Sequence, residues 1–179
     1  MVQDIRNLNG SRGNAAYDVR HRFVTSGVYN LPFGPGKRYL NARNFASHLV
    51  GGWQTNGIVS LNTGNHFNIT VTQDIANLGS AYKAVRPNVL RNPNLPSSQQ
   101  TTARFFDTSA FVLQPFGQFG NAGRNILTGR GRATVDGALF KNNYFRENRY
   151  NLQFRAEFFN AFNRANFQTP GWVLDGANF

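Results

Sequence analysis

From Tyr150 to Asn163 the chain alternates with a period of two. Leu152, Phe154, Ala156 and Phe158 fall on one side, Gln153, Arg155 and Glu157 on the other. Side chains two apart share one face of a β-strand, whereas a helical period would scatter Arg155 and Glu157 among the aromatics. Residues 20–31 alternate in the same way: Phe23, Thr25, Gly27, Tyr29 and Leu31 oppose Arg22, Val24, Ser26, Val28 and Asn30. Residues 52–63 set Trp53, Thr55, Gly57, Val59 and Leu61 against Gln54, Asn56, Ile58, Ser60 and Asn62. In residues 133–145, Val135, Gly137 and Leu139 oppose Asp136, Ala138 and Phe140. Four strands are therefore predicted, over 20–31, 52–63, 133–145 and 150–162.

Between them, Pro32-Phe33-Gly34-Pro35-Gly36 breaks the first strand, and a helical turn is expected around Ala42–His48. Phe67 to Thr72 reads as a short continuation of the second strand. From 73 to 132 the period fades among Pro87, Pro93, Pro96 and Pro115, leaving a long loop with short strands expected around Phe105–Phe111. Arg146-Glu147-Asn148-Arg149 makes a tight polar turn. The connections are unequal: about seventeen residues, then about seventy, then four. Short turns on one side with long loops on the other are the layout of an outer-membrane barrel.

A strand of about ten residues is long enough to cross a bilayer when tilted. On that reading the polar side faces the lumen, through Arg22, Gln54, Asn56, Asp136, Gln153, Arg155 and Glu157. The other side faces lipid or its interface, through Tyr29, Trp53, Leu61, Leu139, Phe145, Tyr150, Leu152, Phe154 and Phe158. The opposite register would put Arg155 in lipid at a cost of roughly 2–4 kcal/mol near the midplane. Arg155 and Glu157, two apart on one face, read as a wall ion pair, and Asp136 is expected to join it from the neighbouring strand. Lys141 falls on the greasy side near a strand end, where its stem can snorkel to the boundary. The same alternation also fits a half-solvated strand of a soluble sandwich or barrel.

Composition narrows this picture. No run of about eighteen apolar residues exists, so no transmembrane helix is expected. Met-Val-Gln-Asp-Ile-Arg at the start has no apolar core segment of a signal peptide. There is no cysteine, hence no disulfide and no thiolate metal site. The net charge is +11, and 16 of the 19 cations are arginines, spread from Arg6 to Arg164. Only residues 124–132 form a tight basic cluster, so nucleic acid is not an expected partner.

Catalytic signals are missing as well. His21, His48 and His66 stand apart with no motif around them, and the only glutamates are Glu147 and Glu157. Gly34-Pro35-Gly36-Lys37-Arg38 lacks both the spacer and the Ser or Thr of a phosphate-binding loop. The chain is read as no enzyme, with no cofactor and no metal.

Several segments resemble TonB-dependent outer-membrane receptors of the Oar-like kind. They are Asp18-Val19-Arg20-His21-Arg22-Phe23-Val24 running into Gly27-Val28-Tyr29-Asn30-Leu31-Pro32-Phe33-Gly34, and Gly51-Gly52-Trp53-Gln54 with Gly57-Ile58. Phe119-Gly120-Asn121-Ala122-Gly123-Arg124-Asn125, Leu139-Phe140-Lys141-Asn142 and Leu152-Gln153-Phe154-Arg155-Ala156-Glu157-Phe158-Phe159-Asn160 follow in the family's order. The resemblance implies a plugged barrel that takes up a nutrient with energy passed on by TonB, often with a carboxypeptidase-regulatory-like domain in front. This chain then corresponds to a C-terminal part of that barrel, without plug, signal peptide or TonB-contacting segment. Its partners would be outer-membrane lipid, the rest of the barrel and plug, and an unidentified small ligand, with TonB reached only through the missing part.

The fold class expected is all-β: a partial antiparallel transmembrane barrel, an open curved sheet of about four to six strands with one long extracellular loop. Four strands cannot close such a barrel, for which eight is the usual minimum, so a fragment is expected. If the family's C-terminus is periplasmic, Tyr150–Phe159 runs outward and the Arg146–Arg149 turn is periplasmic. The expected location is the outer membrane of a Gram-negative-type bacterium. The alternative is a soluble extracellular carbohydrate-binding module, which requires Phe154 and Phe158 to pack under a second sheet.

Overall fold

A computed structural model describes residues 2–42, 44–79, 85–145 and 149–175, with the backbone alone for Phe145. Its strands are β1 (Arg22–Asn30), β2 (Trp53–Asn62), β3 (His66–Phe67), β4 (Asn88–Val89), β5 (Phe111–Val112), β6 (Leu127–Thr128), β7 (Arg132–Phe145) and β8 (Tyr150–Phe158). One six-residue helix, α1 (Phe45–Val50), lies between β1 and β2. No helix among the described residues is long and apolar enough to cross a membrane. The chain divides into two units, one built from His21–Asn62 and Arg132–Asn166, the other from Met1–Arg20, Thr63–Gly131 and Phe167–Phe179.

The first unit is a four-stranded sheet in the order β1-β2-β7-β8, antiparallel throughout. β1 and β8 are its two edges, and among the described residues they do not meet. The alternating stretches form the strands because extended backbone suits their many β-branched and aromatic residues, and alternation puts the charged strand side chains, Lys141 apart, on one side. After β1 the prolines halt pairing, and the chain folds into a small connection: Tyr39 donates its N–H to the Pro32 carbonyl at 3.0 Å, and the Gly34 N–H reaches the Tyr39 carbonyl at 2.9 Å. Asn44 then caps α1, its Oδ1 accepting from the Ser47 N–H at 2.8 Å. Most of the turn expected at 146–149 lies outside the described residues.

β8 stops at Phe158, short of the expected 162. Asn160 and Asn163 both take positive φ, +49° each, and the Asn163 N–H closes a turn on the Asn160 carbonyl at 2.7 Å. Asparagine tolerates the left-handed region that other side chains avoid, so this Asn-rich end turns where the period alone suggests extension.

In the second unit the described part of the long connection is folded rather than loose. It begins at residue 63, ten residues before the expected start. Two short antiparallel ribbons, β3 with β6 and β4 with β5, frame it. Its core holds Phe67, Ile69, Phe105, Phe106, Phe111 and Leu127, with Phe106 edge-on to Phe67 and to Phe111. A smaller cluster of Val71, Ala76 and Val85 lies in the same unit. Of residues 105–111, where short strands are expected, only Phe111 lies in one, β5, while Thr108–Ala110 forms a 3-10 turn. The strand expected over 67–72 is cut to His66–Phe67.

Candidate functional site

Register decides which side chains share a face of the four-stranded sheet. Tyr29 pairs with Thr55 and that with Leu139; Phe23 pairs with Leu61; Trp53 pairs with Lys141 and that with Phe154. Leu139 pairs with Ala156 and Gly137 with Phe158, while Leu152 lies opposite Asn143. Tyr29, Trp53, Leu61, Leu139, Tyr150, Leu152, Phe154 and Phe158 therefore share one face; the side chain of Phe145 lies outside the described residues. Arg22 pairs with Asn62, Gln54 with Phe140, Asn56 with Ala138, Asp136 with Ile58, Gln153 with Asn142, and Phe140 with Arg155. With Glu157 opposite Ala138, these make the second face. Among the described side chains, no residue of either set crosses to the other side.

The two faces differ in charge more than in greasiness. The second holds Arg22, Arg132, Asp136, Arg155 and Glu157, although Val24, Val28, Ile58 and Phe140 also lie on it. Lys141 is the one ionisable cation of the first face among the described strand residues. Arg155 donates from Nη2 to Glu157 Oε1 on the second face, and its guanidinium lies 5.0 Å from the Phe140 ring centre. Asp136 does not join that pair. Its Oδ1 accepts the Asn160 N–H at 2.8 Å and satisfies the backbone where β8 ends.

Lys141 is resolved by a partner that periodicity does not reveal. Its Nζ donates to the carbonyls of His48 at 2.6 Å, Leu49 at 2.8 Å and Gly51 at 2.7 Å. These are carbonyls that the end of α1 leaves without helical partners, at the negative end of its dipole. Trp53 adds an Nε1 donor to the Leu49 carbonyl at 3.2 Å, and its ring meets Phe154 edge-on at 5.9 Å.

The second unit is held by polar groups the sequence does not flag. Buried Arg86 donates from Nε to the Ala122 carbonyl at 2.8 Å and from Nη2 to the Gly10 carbonyl at 2.9 Å. Its burial, and then the charge of Arg124, hold its pKa below the usual arginine value. Asp107 receives Ser109 Oγ at 2.7 Å and Arg91 Nη2 at 2.7 Å; the Ser109 hydrogen bond first, then Arg91 and Arg104, hold its carboxyl below the usual range against the opposing effect of burial. For Asp175 burial pushes upward, but Thr72 Oγ1 and the Thr72 and Gln73 N–H groups outweigh it and lower the pKa.

Arg130, in the basic cluster, is committed to packing. Its guanidinium lies 5.1 Å from the Phe105 ring centre and 5.0 Å from that of Phe167, and it donates to the Thr101 carbonyl. Beside buried His66, whose ring nitrogens meet Asn14 and Thr128 at 3.1 Å each, is an open cleft of about 360 Å³. Asn65, His66, Asn68, Asn125, Thr169 and Trp172 line it, a set of amides, hydroxyl and rings without a carboxylate.

A two-faced antiparallel sheet of this kind is common to many folds, and sequence comparison separates them. The family described as outer membrane beta barrel domain matches residues 1–179. The chain belongs to that family. An outer membrane β-barrel domain resides in the outer membrane of Gram-negative bacteria, so the sheet is part of a membrane protein of that envelope. Comparison with curated proteins and with solved structures returned no match.

Proposed function

We propose that this outer membrane β-barrel domain supplies wall strands of a TonB-dependent transporter of the Oar-like kind, taking up a small ligand across the outer membrane. The observation that carries the wall reading is the partition by register: the arginines and carboxylates of the strands fall on one face, and the other presents aromatics and a single lysine. The first face meets lipid, and Tyr29, Trp53 and Tyr150 serve as interfacial aromatics. The second lines the lumen, where the Arg155–Glu157 pair stays wet. Four strands whose edges, β1 and β8, pair with no further strand among the described residues need more strands to close, which the rest of the barrel would supply. The short β7–β8 turn is then periplasmic and the folded 63–131 connection extracellular, on the side where ligands arrive. The ordered motifs support the TonB assignment. The domain acts by shaping a passage rather than by catalysis.

The soluble carbohydrate-binding alternative needs a covering sheet, yet Phe154 and Phe158 are 54% and 55% exposed. The test of the wall is a pair of arginines in β2. Val59→Arg, on the first face, should lower the stability of vesicle-inserted protein by roughly 2–4 kcal/mol, and Ser60→Arg, on the second, should leave it nearly unchanged. Equal tolerance of the two, measured by urea titration, would sink the assignment of faces.

A further inference from the structure

The connection between β1 and β2 contains an apolar surface that the sheet does not use. In α1, Phe45 and Leu49 are one helical turn apart and 82% and 59% exposed, whereas Ser47, on the far side, is 1% exposed. Tyr39 and Leu40 just upstream are about half exposed as well. A helix of six residues does not hold itself in place. Its position is set by its last carbonyls, which take hydrogen bonds from Lys141 Nζ and Trp53 Nε1. Lys141 and Trp53 lie side by side in one row on the first face, with Phe154 next along. The end of α1 is therefore fastened to that face, at the end of β2 nearest the short turn.

We propose that α1 is an interfacial anchor that lies in the headgroup region of the periplasmic leaflet and seats Phe45 and Leu49 among the upper acyl chains. This rests on the first face being the lipid side. Three observations select phospholipid as the occupant. The helix is held on the face that meets the bilayer, beside the row of Trp53, Lys141 and Phe154 in the half of the sheet nearest Tyr150. Residues 31–52 carry Lys37, Arg38 and Arg43 and no acidic residue, which matches anionic headgroups. Lys141, the only ammonium on that face among the described strand residues, is spent on the carbonyls of His48, Leu49 and Gly51, so neither its charge nor those three acceptors are offered bare to hydrocarbon.

The chain has no cysteine, so single labels can be placed without background. Phe45→Cys, Leu49→Cys, Phe154→Cys and Ser98→Cys, each carrying the same fluorophore, are compared in the full chain inserted into phosphatidylethanolamine–phosphatidylglycerol vesicles. Quenching by aqueous iodide is set against quenching by lipid-borne nitroxide. Labels at 45 and 49 should resemble the label at 154, with iodide quenching at least about fivefold weaker than at 98. If 154 is lipid-quenched while 45 and 49 behave like 98, the anchor is refuted and the wall reading stands. If 154 also behaves like 98, the lipid assignment of the face fails and the anchor falls with it.

Discussion

Asp107 shows how much a single side chain can organise in a connection without periodicity. Ser109 and two arginines serve its carboxylate, and all three ties favour the charged form. Its folded pKa is depressed, so the stabilisation is complete above the unfolded value of about 3.9 and is lost as pH falls through the lower folded value. Asp175, also depressed, gives the same sign. Proteolysis of residues 63–131 should therefore accelerate in acid below about pH 4, and Asp107→Asn should bring part of that sensitivity to neutral pH. A cleavage rate in the variant that matches the parent at pH 7 would remove Asp107 from this role. None of these partners was legible in advance, because Arg91, Arg104 and Ser109 are ordinary loop residues until the chain folds around the carboxylate. Lys141 makes the same point from the other side: periodicity placed it on the greasy face, and only the carbonyls of 48, 49 and 51 explain why it belongs there.

At the scale of elements, the strands were readable and their ends were less so. Period-two patterning is a local property, and each strand shows it within its own sequence. The end of β8 depended instead on two asparagines entering the left-handed region. Glycines separate two kinds of element. Gly27, Gly57 and Gly137 form one row across the sheet, and a methyl group at 57 would come no closer than 3.7 Å to the Asp136 carbonyl. A methyl group at Gly64, in the folded connection, would run into the Gly129 carbonyl. Gly57→Ala should thus be neutral or stabilise by up to about 1 kcal/mol, whereas Gly64→Ala should destabilise by roughly 1–3 kcal/mol. Comparing the two variants by thermal unfolding checks this; equal losses would mean that the row at 57 is close-packed after all.

For the molecule as a whole, the two units follow different rules. The sheet is repetitive, and its edges at β1 and β8 invite further strands. The other unit buries phenylalanines drawn from residues 67 to 111, with no period to announce them. The transporter reading is a statement about a larger assembly. It expects the coding DNA to continue in frame upstream into more alternating strands and a plug. An upstream stop codon with no coding potential beyond it would end that reading and return attention to a smaller barrel.

By itself the sequence determined the strands, their two faces and the separation of charge between them, because alternation along an extended chain is set by neighbouring residues alone. Even the parity of pairing follows, since a shift of one residue would exchange the faces of a whole strand. Tertiary structure decided everything that depends on distant partners: the core of residues 63–131, the turn of Asp136 toward Asn160 instead of Arg155, and the seating of Lys141 on α1. Those contacts join residues up to 93 positions apart, and no local pattern encodes which carbonyl a lysine will find.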